Sequence, residues 1–149
     1  MQPSLIAPCG MNCAICAAFL REKNKCPGCL FKNKNKPASC VYCVIKKCPK
    51  RLRNGWAYCF ECDTCPCDRL EHLDKRYRTH YHMSMLDNLK FIKQKGMKAF
   101  LARERKKWTC TKCGGTICCH NGLCYSCQLK ELKAKKRKYR WEEYIRIAK

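Results

Sequence analysis

Eighteen of the 149 residues are cysteines, and their spacing is the strongest chemical signal in the chain. Cysteines separated by two residues recur at 13/16, 26/29, 40/43, 59/62, 62/65, 110/113 and 124/127. Two thiolates on one tight turn can bind the same tetrahedral ion, and zinc sites use this spacing repeatedly. We therefore expect the cysteines to bind metal ions rather than to form a disulfide framework.

The N-terminal residues also argue against disulfides, which need an oxidising compartment. Residues 1–8 contain no basic region and no long apolar stretch, so they do not predict a secretory signal. No segment approaches the roughly 20 apolar residues of a membrane span. The sequence predicts a cytoplasmic protein without a membrane partner.

The C-terminal cysteines form two pairs that are ten residues apart, the first followed by two glycines. This pattern is typical of a zinc ribbon, in which glycine permits the positive φ that lets backbone N–H groups point at sulfur. We assign Cys110, Cys113, Cys124 and Cys127 to one structural zinc ion. A closed four-thiolate site has no open coordination position, so it predicts stability and not catalysis. Cys118, Cys119 and His120 are expected to line the intervening hairpin.

The first 67 residues contain twelve cysteines, enough for three four-cysteine sites or for two sites with spare thiols. The candidate ligands are Cys9, Cys13, Cys16, Cys26, Cys29, Cys40, Cys43, Cys48, Cys59, Cys62 and Cys67. The sequence does not assign which pairs share an ion. With the C-terminal site, we expect three or four zinc ions. An iron–sulfur cluster in this block is an alternative, because Cys59, Cys62 and Cys65 have part of a ferredoxin spacing, although Cys67 follows too soon for the usual fourth ligand.

The order of these motifs resembles a cysteine-rich prokaryotic family known as domain of unknown function 3795. The resemblance is carried by C-G-x-x-C-x-x-C at 9–16, C-x-G-C at 26–29, C-x2-C-x-I-x-K-C at 40–48 and C-x2-C-x4-C-x-x-L at 59–70. It continues through residues 88–101, Trp108 and the C-terminal Cys-Gly-Gly-Thr-Ile to His120, and it covers roughly residues 5–128. The resemblance implies zinc binding and no established activity. Cys65, Cys118 and Cys119 depart from the family pattern, so the resemblance favours Cys59, Cys62 and Cys67 as a ligand set.

Residues 68–108 contain no cysteine and show the periodicity of helices that hold the metal modules together. Asp68 with Glu71 predicts a helix start of the capping-box type, Ser84 with Asp87 predicts a second start, and Gly96 predicts a break. The apolar face, which we expect to be core, comprises Leu70, Leu73, Tyr77, Tyr81, Leu86, Leu89, Ile92 and Phe100.

The expected fold is a small metal-stapled α+β protein. It would comprise irregular zinc knuckles with short hairpins in residues 1–67, a helical segment in 68–108, a zinc-ribbon-like module in 109–128 and a basic helical tail in 129–149. The sparse apolar residues exclude a single large core, so metal ions must supply much of the stability.

A formal net charge of +22 requires an anionic partner or a strongly solvated surface. Rigid loops that carry Lys and Arg suit structured RNA, which is recognised through shape, phosphate and 2′-OH contacts, and no recognition helix for duplex DNA stands out. The candidate contacts are Lys32, Lys34, Lys36, Lys46, Lys47, Lys50, Arg51, Arg53, Lys133, Lys135, Lys136, Arg137, Lys138 and Arg140.

No catalytic constellation is apparent, since the four histidines lack a recognisable nucleophile or base partner. The favoured hypothesis is a non-catalytic, zinc-stabilised, basic protein that binds structured RNA and associates with ribosomes or ribosomal RNA, with no small-molecule substrate. An iron–sulfur or metal-handling redox protein is one alternative, and a protein-interaction scaffold is another. The sequence does not define the oligomeric state.

Overall fold

The computed structural model describes residues 1–128 and 130–131, and its regular elements are helical. The N-terminal cysteine block contains three short helices, α1 (Ala17–Leu20), α2 (Ala38–Val41) and α3 (Pro49–Arg53). The two long helices are α4 (Asp68–Tyr81) and α5 (Met85–Trp108). Single turns of 3₁₀ helix span Pro3–Leu5, Cys13–Ile15 and Cys59–Glu61.

β structure within the described residues is limited to isolated antiparallel bridges. These join Ile6 with Asn12, Thr109 with Thr116, and Ile117 with Cys124. The protein is therefore small, helical and rich in cysteine. In the regions for which the sequence predicts hairpins and a zinc ribbon, the described residues form only these isolated bridges. All 18 cysteines lie in the described residues, and none of them forms a disulfide bond. The predicted basic helix of residues 129–149 lies outside the described residues except at positions 130 and 131.

The two helix starts predicted from the sequence have different outcomes. Ser84 caps α5, because its Oγ accepts a hydrogen bond from the backbone N–H of Asp87 at 3.0 Å. α4 begins at Asp68 itself, so Cys67 is the N-cap residue and no side chain caps this end. The capping box predicted for Asp68 is therefore wrong. Its carboxylate lies instead in the first turn, where the helix dipole favours negative charge.

Gly96 interrupts α5, as the sequence predicts. Its φ of 80° and ψ of 165° are not helical, and they divide α5 into two helical segments. A residue with a β-carbon would be strained at this positive φ, whereas glycine is not.

A buried carboxylate joins α4 to the start of α5. Asp74 is only 1 % exposed, and its Oδ1 accepts hydrogen bonds from the hydroxyl of Ser84 (2.7 Å) and the backbone N–H of Leu86 (3.1 Å). Its Oδ2 accepts from Nε of Arg78 (2.7 Å). Burial alone would raise the pKa of Asp74, but these donors outweigh it and hold the pKa below 3.8.

The helices pack on the cysteine block through two apolar clusters. The larger cluster contains Ala7, Cys9, Met11, Ile15, Ile45, Leu70, Met83, Met85, Leu89, Trp108 and Cys119, and the smaller contains Ile6, Ile92, Phe100 and Leu101. The predicted core positions Leu73, Tyr77, Tyr81 and Leu86 are half-buried against the larger cluster. The prediction that the helical apolar face is core is therefore confirmed.

The segment between the two C-terminal cysteine pairs packs directly on the N-terminal block. The backbone N–H of Cys119 donates to the carbonyl of Ile15 at 2.9 Å, and the N–H of Ala17 donates to Nδ1 of His120 at 3.3 Å. Nε2 of His120 lies 3.3 Å from the hydroxyl of Tyr77 on α4. These contacts connect the two cysteine-rich ends of the described chain.

Candidate metal centres and basic surface

The four C-terminal cysteines form a compact cluster of thiols. The sulfur atoms of Cys110, Cys113, Cys124 and Cys127 all lie within 4.8 Å of one another. The Cys110 and Cys127 sulfurs are 3.8 Å apart, and those of Cys113 and Cys124 are 3.5 Å apart. A tetrahedral zinc ion with Zn–S bonds of about 2.3 Å sets its sulfurs about 3.8 Å apart. The cluster can therefore hold a metal ion of this size.

Tight turns position these thiols. The N–H of Gly114 donates to the carbonyl of Cys110 at 2.8 Å, and the N–H of Cys110 donates to the carbonyl of Gly115 at 2.7 Å. Gly114 has a φ of 71°, as the sequence predicts for a knuckle glycine. Gly115 is needed for space, because a β-carbon there would lie 2.8 Å from the β-carbon of Ser126 and 3.0 Å from the Cys124 sulfur.

Replacing this glycine should loosen the metal site. We expect Gly115→Ala to push the Cys124 turn away and to weaken metal affinity about 10–100-fold, the size of effect seen when groups around metal ligands are disturbed. Competition with a chromophoric zinc chelator would measure the change. Lys112→Ala, an exposed position in the same turn, is the control. Equal affinities for the two variants would contradict the steric argument.

Backbone N–H groups favour the thiolate form at two of the four positions. The N–H groups of Lys112 and Cys113 lower the pKa of Cys110. Burial works against the Cys124 thiolate, but the N–H groups of Cys127 and Ser126 outweigh it and lower its pKa to about 7. The pKa of Cys127 is raised to about 12 by hydrogen bonding with Cys113. Two ligands are thus prepared for deprotonation, and an incoming cation would displace the remaining protons.

Cys118, Cys119 and His120 lie outside this four-thiol cluster. Cys118 and Cys119 are completely buried. Burial raises the pKa of Cys118 to about 12, although the N–H of His120 donates to its sulfur at 3.4 Å. These residues form the contact with the N-terminal block rather than lining a simple hairpin.

The N-terminal thiols fall into two neighbourhoods. In the first, the N–H of Cys29 donates to the sulfur of Cys13 at 3.3 Å, and the N–H of Lys46 donates to the sulfur of Cys43 at 3.5 Å. Burial raises the pKa of Cys13 to about 12, and the neighbouring thiolates of Cys29, Cys16 and Cys26 add to the effect. Electrostatic proximity links Cys40 to Cys26 and Cys43, and it links Cys9 to Cys29, Cys59 and Cys43, so Cys9 lies between this neighbourhood and the second one.

The second neighbourhood surrounds a cavity of about 230 Å³. Its cysteines are Cys48, Cys59, Cys62, Cys65 and Cys67. Burial, together with the thiolates of Cys65 and Cys67, raises the pKa of Cys59 to about 12, and Arg51 partly offsets these effects. Cys48 thus lies with the 59–67 run rather than with Cys40 and Cys43, which precede it in the sequence. Among the described residues, the C-terminal four are the one group of three or more potential ligands within 4.8 Å.

A buried polar contact positions the first cysteine loop, and the sequence analysis missed it. The side-chain amide of Asn12 donates to the carboxylate of Glu104 at 3.1 Å, and its oxygen accepts from the N–H of Ala14 at 3.0 Å. The amide of Asn88 donates to the carbonyl of Gly10 at 3.0 Å. α5 therefore holds the Cys9–Cys13 loop from both of its helical segments. A lone glutamate in an otherwise basic helix end was the one available signal.

The two basic loops, which we define as residues 32–36 and 46–53, lie next to each other. Nζ of Lys46 donates to the side-chain oxygen of Asn33 at 3.2 Å, and Lys36 donates to the carbonyls of Cys29 and Phe31. The Arg51 guanidinium donates to the carbonyls of Trp56 and Lys46. Lys50 forms an ion pair with Asp63. Four of the predicted nucleic-acid contacts, Lys36, Lys46, Lys50 and Arg51, therefore have partners within the protein.

The other cations of these loops are exposed and lie among exposed apolar side chains. Lys32, Lys34, Lys47 and Arg53 are exposed. Tyr42 is 72 % exposed and Phe31 45 %, and Nζ of Lys47 lies 5.3 Å from the centre of the Tyr42 ring. Leu30, Val44 and Leu52 add further exposed apolar surface. Lys133, Lys135, Lys136, Arg137, Lys138 and Arg140 lie outside the described residues.

No helix in the described part of the chain is long and apolar enough to cross a membrane. In comparison with known proteins, residues 5–72 match the family model described as "Protein of unknown function (DUF3795)". This match confirms the resemblance noted from the N-terminal motifs. No curated protein and no solved structure matches the chain.

Proposed function

Because residues 5–72 are a DUF3795 region, a family described without an activity, we propose a function from the chemistry of the surface and the thiols. We propose that the protein is a zinc-stabilised, non-catalytic RNA-binding protein that recognises structured RNA such as ribosomal RNA. Metal centres hold the cysteine-rich loops rigid, and the exposed aromatic and basic side chains of those loops contact the nucleic acid.

The zinc assignment rests on the C-terminal thiol geometry. The separations of 3.5 and 3.8 Å match the edges of a tetrahedral ZnS₄ centre, and four cysteines without histidine or carboxylate are typical of structural zinc. The bridges Thr109–Thr116 and Ile117–Cys124 flank the two turns, as in a zinc ribbon. We propose that the N-terminal block holds the remaining metal of a total of three or four centres.

One observation carries the RNA hypothesis: an exposed tyrosine lies beside an exposed lysine. Tyr42 offers 72 % of its surface to solvent, and Lys47 lies beside its ring. RNA-binding surfaces combine aromatic rings, on which unpaired bases stack, with cations that contact phosphates. The hydrogen bond between Lys46 and Asn33 brings the two basic loops together, which supports an interface that combines both kinds of contact.

The aromatic part of this proposal predicts a large effect at one position. Base stacking contributes about 1–3 kcal/mol per base, so Tyr42→Ala should weaken RNA binding about 5–150-fold, while Tyr42→Phe should keep most of the affinity. Fluorescence anisotropy with a labelled hairpin of ribosomal RNA at about 100 mM salt would measure this. Leu52→Ala, which removes an exposed apolar side chain without a ring, is the matched control. Absence of binding by the unmodified chain would refute the proposed function.

The cationic part predicts a change in salt dependence. If Lys32 and Lys34 each contact a phosphate, their joint replacement by Ala should reduce the slope of log K against log salt by about 1.4–1.8. Replacing Lys95 and Lys98 of α5, which are also exposed, removes the same charge elsewhere and should change the slope less. Equal slopes for the two double variants would place the interface away from these loops.

A further inference from the structure

We propose that the cavity beside α3 binds a [4Fe–4S] cluster through the thiolates of Cys48, Cys59, Cys62 and Cys65. The site would be separate from the C-terminal four-cysteine cluster. Its ligand Cys48 belongs to the basic loop 46–53, but the site involves neither Tyr42 nor the exposed lysines on which the RNA proposal rests.

The first argument is space. A mononuclear zinc ion draws its sulfur ligands to about 3.8 Å of one another and leaves no volume between them. The C-terminal thiols have this arrangement, whereas in the described chain no three thiols around the cavity lie mutually within 4.8 Å. They surround about 230 Å³ instead. An iron–sulfur core, whose own iron and sulfide atoms separate the protein ligands, suits this wider arrangement.

The second argument is the set of ligands that the fold brings together. Cys59, Cys62 and Cys65 have the C-x2-C-x2-C spacing of a bacterial ferredoxin run. In two-cluster ferredoxins, the fourth cysteine of the run is followed by proline and binds the other cluster. Each cluster therefore has one ligand that comes from a Cys-Pro pair far away in the sequence. Here Cys48 precedes Pro49, the first residue of α3, and lines the same cavity. The fold thus supplies the remote ligand that the local sequence lacks.

The third argument is an unsatisfied donor in the cavity wall. Within the described residues, Nε of Arg51 is buried and has no hydrogen-bond acceptor, although its two terminal nitrogens do. A buried donor of this kind is costly unless an acceptor is present. Arg51 lines the cavity, so the sulfur atoms of a cluster with net negative charge would supply the acceptor. The buried side chains of Ile45 and Leu70 form an apolar part of the cavity wall.

Cys67 is the spare thiol in this assignment. It is exposed, whereas the four proposed ligands are half-buried. The family resemblance favours Cys67 and not Cys65 as the third ligand of the run. A site that requires Cys65 would be a cluster site particular to this chain, whereas a site that requires Cys67 would be a metal site shared with the family.

The test is metal and sulfide analysis of the full chain, purified without oxygen and incubated with equal amounts of ferrous and ferric iron and with sulfide, which together balance the two ferrous and two ferric ions of an oxidised [4Fe–4S] cluster. We expect about four iron and four acid-labile sulfide per chain, a brown colour with a broad band near 400 nm, and bleaching by dithionite. Zinc at the C-terminal cysteines should persist. A colourless protein that contains zinc and neither iron nor sulfide would overturn the proposal. RNA affinity measured on the same sample reports separately on the proposed function.

Matched variants test the ligands. Cys65→Ser and Cys48→Ser should each lose most of the iron and sulfide, whereas Cys67→Ser should retain them. Retention of C-terminal zinc and of the helical circular dichroism spectrum shows that each variant is folded. A cluster that survives in Cys65→Ser but not in Cys67→Ser would overturn the assignment. If a variant fails to fold, the iron-to-sulfide ratio and the paramagnetic resonance spectrum of the reduced unmodified chain still decide whether a cluster is present.

Discussion

Removal of metal from Cys110, Cys113, Cys124 and Cys127 is expected to unfold residues 109–128. This segment has few apolar side chains to offset the ordering entropy of about 1–2 kcal/mol per residue, whereas structural zinc contributes about 10–16 kcal/mol of binding free energy. A strong chelator should therefore abolish the slow hydrogen exchange of amides in this segment. Hydrogen-exchange mass spectrometry with and without chelator would measure the loss.

Single substitutions separate the ligands from their neighbours. Cys110→Ser or Cys124→Ser should have the same effect as the chelator, because three thiolates hold zinc far less tightly than four. Cys119→Ser is the control, since Cys119 is buried but lies outside the four-thiol cluster, and its loss should cost only about 1–2 kcal/mol. Equal damage from all three substitutions would show that the ligand assignment is wrong.

Replacement of Asp74 is expected to be the most damaging change in the helical segment. Asp74→Ala leaves the Ser84 hydroxyl and the Leu86 N–H without their acceptor and removes the partner of Arg78. Because two of these groups are at the buried start of α5, we expect a loss of about 2–4 kcal/mol. For a chain of this size, that corresponds to a fall in melting temperature of about 5–15 °C.

Thermal unfolding of the metal-loaded protein at pH 7 would measure this loss. Asp87→Ala is the matched control, because it removes the same charge from an exposed position in the first turn of α5. A similar fall in melting temperature in both variants would show that negative charge near the start of α5, and not the buried hydrogen bonds of Asp74, stabilises the junction between α4 and α5.

The features that could be predicted from the sequence are those encoded within a few residues. The C-terminal turns depend on two cysteines and two glycines in a row, and the structure brings the four thiols together as the spacing indicates. The cap at Ser84 and the break at Gly96 are equally local. The capping box at Asp68 failed because the preceding cysteine, held in extended conformation by the 59–67 run, already occupies the N-cap position.

The features that could not be predicted depend on tertiary contacts. Nothing near Cys48 indicates that it lies with Cys59 rather than with Cys43, because the turn into α3 decides its direction. The bond between Asn12 and Glu104 links positions separated by 92 residues. The sequence predicts that Lys36 and Arg51 contact nucleic acid, but in the folded protein their side chains donate to backbone carbonyls. Those carbonyls come within reach only when the loops have folded, so the sequence does not indicate them.

The contacts that join the two ends of the described chain also determine when the first half can be completed during synthesis. The Cys9–Cys13 loop is held by Asn88 and Glu104, and Ile15 is bonded to Cys119. A ribosome must therefore have released almost the entire described chain before the loop of the earliest cysteines obtains all of its packing partners. Contacts of such long sequence separation form slowly. The nascent N-terminal thiols thus emerge before the structure that fully encloses them, and they stay open to oxidation until the last cysteine pair appears.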